Sequence, residues 1–323
     1  MKRREALLAT LGLTAMPLRF AEAERYRRVG ILLPAKLNEN LIVPFRERLG
    51  ALGWVEGRNL AIEVRNVQNR YERAPALTRE LVRLKVDVIV AASTALALAA
   101  KDTSGGIPVV FAWVADPVGS GLAASLARPG GNLTGLSNLV FEVAPKQLEL
   151  LKALVPALKR VAALTDSKFK GTRILFNEAA TRAAASLGLS LLELDAGTAG
   201  EIDEAFALAA REHVEAMLIP PHPLYAEQRQ RIAQLALQYR LATAFQFRSF
   251  VAAGGLISYG TDLTDGFLRT AAYVDKILRG AKPGDLPIQQ SDRFELVVNR
   301  GTAKALGLTI SKSVLLQATE VIE

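Results

Sequence analysis

Cysteine is absent from all 323 residues. Its absence excludes disulfides, thiolate metal sites, sulfur nucleophiles and a lipid-modified cysteine anchor. Histidine is nearly absent, with only His213 and His222 in the chain. Neither belongs to a Gly-x-Ser-x-Gly elbow, so Ser-His-Asp chemistry lacks its base. Two separated histidines without an acid pair also do not make a buried metal site. Aromatic residues are scarce at 6% and do not alternate with basic ones, so there is no stacking platform for nucleic acid. Lys plus Arg number 40 against 32 Asp plus Glu, but the excess is scattered along helix faces, and no basic block exceeds Lys2 to Arg4. A Walker A motif is missing, which leaves no seat for ATP. The stretch GSGLAA at 119–124 fits Gly-x-Gly-x-x-Ala, yet it follows an intervening ADPV and not the tight first βα turn that a dinucleotide needs. No cofactor and no enzymatic activity are expected.

What is present is a chain long enough for two lobes of roughly 100 to 150 residues each, with 50% hydrophobic residues dominated by Ala, Leu and Val. Its first residues have the form of an export signal. Lys2, Arg3 and Arg4 precede a short apolar run, Ala6 to Ala15, and Ala21-Glu22-Ala23 is a small-x-small cleavage site. Paired Arg3 and Arg4 leave both the general and the twin-arginine routes open. The run is too short to span a bilayer, so the expectation is a protein cleaved after Ala23, exported to the periplasm and not stably inserted in the membrane.

Strand and helix signals then alternate. Val29–Leu33, Asn59–Val67, Val86–Ala92 and Ile107–Val114 read as strands, with helices at Asn40–Trp54, Glu72–Leu84 and Ala95–Lys101 between them. After a join near Leu139 to Pro145 the pattern restarts. Strands are expected at Arg160–Leu164, Ser190–Asp195, Glu215–Ile219, Ala242–Phe247, Gly255–Tyr259 and Phe294–Asn299, and helices at Gln147–Leu154, Ile174–Leu187, Ile202–His213, Glu227–Tyr239 and Gly266–Arg279. Such βαβ series predict an α/β protein with two doubly wound parallel-sheet lobes. The first lobe would span 24–140 plus about 262–288, and the second 141–261 plus about 289–323, with several crossings forming a hinge and a cleft facing both sets of strand ends.

The stretch IPVVFAWVADPVGSGLAASLARPGGNLTG, residues 107–135, delivers a carboxylate to that edge. Its apolar run is that of a strand buried on both faces, and Asp116 follows at the carboxyl end, where open α/β sheets bind ligands. Ser125 to Ala127 reads as a short helical turn. Ser93 and Thr94 stand where a strand gives way to a helix. They offer hydroxyls and free N–H groups to a carboxylate, or serve simply as an N-cap. Asp116 would meet an ammonium or hydroxyl, or only shape the turn before Pro117. Asn132 and Thr134 would add hydrogen bonds, or cap a hinge loop. From the second lobe, Asp166, His222, Phe247, Arg248 and Asp262 occupy strand-end positions. Tyr259 and Trp113 offer ring faces, with core packing the alternative for both.

The segments LGWVEGRNLAIEVR (52–65), VDVIVAASTALALAAK (86–101), 107–135, GGLISYG (254–260), AAYVDKILRGAKPGDLPIQQ (271–290) and FELVVNRGTAKALGL (294–308) resemble the periplasmic substrate-binding components of ABC importers. Within that family they are similar to the branch that binds tryptophan and other aromatic amino acids. The resemblance implies a type I two-lobe binding protein, monomeric, that closes over a small solute and meets a permease and ATPase subunits. A ligand-sensing protein that signals through a membrane receptor would use the same lobes and remains the alternative.

Overall fold

The computed structural model describes residues 26–34, 41–138, 140–167, 173–290 and 292–323. The export-like segment lies outside them. In the first lobe the order is β1 (Arg27–Leu33), α1 (Ile42–Ala51), β2 (Leu60–Asn66), α2 (Ala74–Arg83), β3 (Val88–Ala91), α3 (Thr94–Thr103), β4 (Val109–Val114) and β5 (Leu133–Ser137). The second lobe follows with α4 (Val140–Leu154), β6 (Arg160–Thr165), α5 (Arg173–Ser186), β7 (Ser190–Asp195), α6 (Ala199–Arg211), β8 (Ala216–Ile219), α7 (Pro223–Glu227), α8 (Arg229–Gln238), β9 (Ala242–Phe245), α9 (Arg248–Ala252) and β10 (Ile257–Thr261). The chain then returns through α10 (Leu263–Leu278) and β11 (Gln289–Gln290). It crosses once more into β12 (Phe294–Asn299), α11 (Arg300–Ala305), α12 (Lys312–Gln317) and β13 (Glu320–Ile322).

Six strands form the first sheet in the order β11-β5-β4-β3-β1-β2, and seven form the second in the order β13-β12-β10-β9-β8-β6-β7. Every pair is parallel except β10 with β12. Both sheets are covered on both faces, which is why β3 (VIVA) and β8 (AMLI) are apolar throughout and buried at every position. In the first lobe Phe45 of α1 and Phe267 of α10 fill one face, while Leu81 of α2 and Leu96 of α3 fill the other. In the second, Phe176 of α5 and Leu148 of α4 lie on one side, and Phe206 of α6 and Ile232 of α8 on the other.

Several local expectations shift. Gln289 and Gln290 pair with Leu136 and Ser137 of β5, so these two residues belong to the first sheet, and the last crossing comes after them. Pro145 lies inside α4 and not in a linker. Residues 125–127 carry no helical hydrogen bonding, with bends at 126 and 127 only. One helix expected over Glu227–Tyr239 is two, because Pro223 starts α7 a turn earlier and α8 begins only at Arg229. Glycines and short lengths hid β5 and β11 from periodicity.

The crossings are tied together. Thr261 Oγ1 donates to Asn138 Oδ1 at 3.0 Å in a buried contact, and the Asp262 N–H donates to the carbonyl of Arg293 at 3.2 Å. One hinge thus joins the end of β5, the end of β10 and the approach to β12.

Candidate ligand-binding cleft

Parallel strands bring their carboxyl ends to one edge of each sheet, and the crossing strands β5 and β10 make those two edges face each other. Distance from the hinge then orders the strands. β4 and β9 each stand next to a crossing strand, β3 and β8 one place further out, and β1 and β6 beyond those.

On the first-lobe edge, Ser93 is the N-cap of α3, and its Oγ accepts from the Leu96 N–H at 3.3 Å. The Thr94 hydroxyl accepts from the Ala115 N–H at 3.3 Å, which brings the end of β3 against the residue preceding Asp116. Tyr71, from a single 3-10 turn after β2, lies beside Ser93, and burial pushes its phenol up to about 12 against the opposing pull of Ser93. Asp116 Oδ1 accepts from the Gly119 N–H at 2.8 Å, and a Cβ at residue 119 would fall 2.0 Å from its Oδ2. Ser93, Thr94 and Asp116 therefore converge, with Tyr71 as a fourth member that no strand-end pattern reveals. The turn to Gly119 holds Oδ1 of Asp116 and not Oδ2. A helix N-terminus, two hydroxyls and one carboxylate suit a zwitterion.

On the second-lobe edge, Asp166 and His222 find each other, with Nε2 of His222 3.3 Å from Asp166 Oδ2 and both side chains about nine-tenths buried (10% and 11% exposed). Nδ1 of His222 accepts from the Leu224 N–H at 3.2 Å, which fixes the tautomer with the proton on Nε2. Burial holds the imidazole pKa below its ordinary value despite the neighbouring carboxylate. The ring packs on Tyr225 at 4.6 Å, and the Tyr225 hydroxyl donates to the carbonyls of Thr165 and Ala196. This pair stiffens the ends of β6 and β8.

Other expected contacts go elsewhere. Asn132 and Thr134 sit at the amino end of β5, the edge opposite the cleft. The Asn132 amide donates to the Ile107 carbonyl at 2.9 Å, and the buried Thr134 hydroxyl donates to the Leu286 carbonyl at 2.7 Å, so both are structural. Arg248 reaches the cleft edge but holds both carboxylate oxygens of Glu320, at 2.6 and 2.5 Å, tying α9 to β13. Asp262 caps α10 through the Thr264 and Asp265 N–H groups and lies 4.0 Å from Arg293, as a hinge residue. Phe247 is half-buried on the core that contains Phe250. Tyr259 stacks on Phe294 at 5.4 Å, and Trp113 packs on Phe267 at 5.5 Å.

Two further features escaped the sequence. Gln246, directly after β9, is 3% exposed, and neither of its amide atoms has a partner among the described residues. Asn69, after β2, donates from Nδ2 to the carboxylate of Glu227 on α7, linking the two lobes across the mouth of the cleft. Its loop is built for this. Gln68 and Asn69 have φ of 57° and 58°, and the Gln68 side chain accepts from Arg70 and Arg73. By contrast, a depression of about 700 Å³ lined by Glu204, Arg211 and Tyr239 lies at the carboxyl ends of α6 and α8, on the opposite edge of the second sheet.

Comparison with known proteins places the chain among known relatives. A tyrosine-binding protein of Clostridioides difficile is 26% identical over 264 residues, 82% of this chain and 75% of that protein. An ABC domain from Streptococcus pneumonia in complex with L-Trp superposes with a TM-score of 0.82 at 25% identity, covering 92% of this chain and 99% of that one. The ligand-free, open structure of a substrate binding protein with adhesive properties from Clostridium difficile gives 0.72 at 24% identity, over 92% and 99%. The family model described as ABC transporter substrate binding protein matches residues 40–322, and the chain belongs to that family.

Proposed function

We propose that this protein is the solute-binding component of an ABC importer, that its solute is an aromatic amino acid, and that it hands this solute to a membrane permease powered by separate ATPase subunits. The observation that carries the reading is the likeness over 92% of the chain to the L-Trp complex. The first-lobe edge supplies the matching chemistry. The N-terminus of α3 with Ser93, Thr94 and Tyr71 seats the α-carboxylate, and Asp116 takes the α-ammonium. No bond is made or broken, and the protein works as a monomer. Export follows from the residues up to Ala23, with release into the periplasm after cleavage there.

A thermal-shift titration of the chain from Glu24 onward tests this. L-Tyr, L-Trp and L-Phe are compared with L-Leu and L-Glu. An aromatic amino acid at a hundredfold excess over its dissociation constant stabilises the protein by about 2.7 kcal/mol. No shift with any aromatic amino acid would sink the assignment of solute class. N-terminal sequencing of the exported protein checks the cleavage site.

A further inference from the structure

A buried carboxamide with both ends unpaired is unusual, because folding normally leaves such groups paired or wet. Gln246 is in that state, at the carboxyl end of β9 and one strand from the hinge. Space is reserved for it. A Cβ at Gly260, on the neighbouring β10, would lie 2.6 Å from Gln246 Cγ and 2.2 Å from the backbone carbonyl oxygen of Gln246. Gln147 Nε2 donates to the carbonyls of Phe245 and Tyr259 at 2.6 and 3.0 Å, and the Gln246 amide bonds to neither. Arg248, two residues on, is committed to Glu320.

The two lobes therefore offer different chemistry. The first-lobe edge has a helix N-terminus and a carboxylate for charged groups. The second offers, at the corresponding inner position, a neutral group that both donates and accepts. We infer that the Gln246 carboxamide contacts the solute's side chain and selects aromatic amino acids whose ring carries a hydrogen-bonding group, a phenol or an indole N–H, over phenylalanine. This rests on the aromatic reading of the cleft. A phenol hydroxyl pairs with both amide atoms, an indole N–H with Oε1 alone, and a bare phenyl ring leaves both unpaired. A site built on such a group rejects the analogue that lacks it far more strongly than a hydrophobic pocket rejects a missing methylene.

Calorimetric titration of the purified chain with L-Tyr, L-Trp and L-Phe, for the native protein and Gln246→Met, tests the inference. The native protein is expected to bind L-Tyr or L-Trp at least about tenfold more tightly than L-Phe. Gln246→Met fills the same volume without the amide. It should weaken the preferred ligand about tenfold, leave L-Phe unchanged or improved, and keep the ligand-free melting temperature at or above the native value. Equal native affinities for L-Phe and the other two, or a preference that survives Gln246→Met, overturns the inference while leaving the aromatic assignment standing. A drop of several degrees in the ligand-free variant overturns it too, by revealing a structural partner for the amide. Failure of the native protein to bind any of the three overturns the inference and the aromatic assignment together.

Discussion

His222 shows how a strand-end residue stiffens the edge of a cleft. Its pKa lies below the ordinary 6.5 because burial outweighs the pull of Asp166. The unfolded chain therefore takes up the proton first as the pH falls. The stability tied to this residue is complete above about pH 6.5 and is lost as the pH drops through the folded value. Melting temperature should fall below about pH 6, and His222→Gln should flatten that dependence. An unchanged profile in the variant would remove His222 from the account. Asp116 invites a separate test, since asparagine can keep the turn to Gly119 but not the charge. Asp116→Asn should weaken amino acid binding at least tenfold, as expected for a lost charge-assisted hydrogen bond of about 1.5–3 kcal/mol, while the melting temperature of the ligand-free protein holds. The placement of Ser93, Thr94 and Asp116 at one strand edge was legible in the sequence because a polar residue after an apolar strand has few places to go. Tyr71 and Gln246 were not. Their environments are made by residues distant in sequence, and nothing in NVQNRYER or AFQFR marks a buried hydroxyl or an unpaired amide.

Among the elements, β4 and β5 fit together through an irregularity. Trp113 has φ of 59°, a left-handed conformation rare for a bulky residue, and the register between the strands shifts between Phe111 and Val114. Gly135 faces this bulge with φ of 150°, and a Cβ there would lie 2.0 Å from the Phe111 carbonyl oxygen. Gly135→Ala should therefore cost about 3 kcal/mol or more by denaturant unfolding. A loss under about 1 kcal/mol would mean that the bulge relaxes freely. Sequence periodicity found β1, β3, β4, β6 and β8, whose apolar runs are dictated by burial on both faces. It missed β5, with its central glycine, and β11, whose two glutamines pair only because α10 carries the chain back to the first sheet. Asn132 and Thr134 were misassigned for the same reason. With β5 unseen, the end of that strand reaching the cleft could not be told from the other.

For the whole molecule, two α/β lobes with a hinge between them followed from the repeated strand-helix alternation and the length. The contacts that set how the lobes meet did not, because they join residues far apart in the chain. The Asn69–Glu227 hydrogen bond is one such contact, joining the lobes across the mouth. Asn69→Ala removes that link. It should shift the closing equilibrium of the ligand-free protein about twofold to fivefold toward separation, read as a larger radius of gyration by solution scattering and a matching loss of affinity. If neither changes, the link does not govern closure.

The order of strands outward from the hinge has a mechanical corollary. In a rotation about one axle, travel grows with radius. With neighbouring strands about 4.8 Å apart, the tip of β2 sweeps about four times as far as the tip of β4. Asp116 and Gln246, one strand from the hinge, form an inner seat that such a rotation scarcely moves, whereas the rim that carries Asn69 swings like the outer edge of a door. Changes at the seat should alter which molecules are held, and changes at the rim how quickly they come and go.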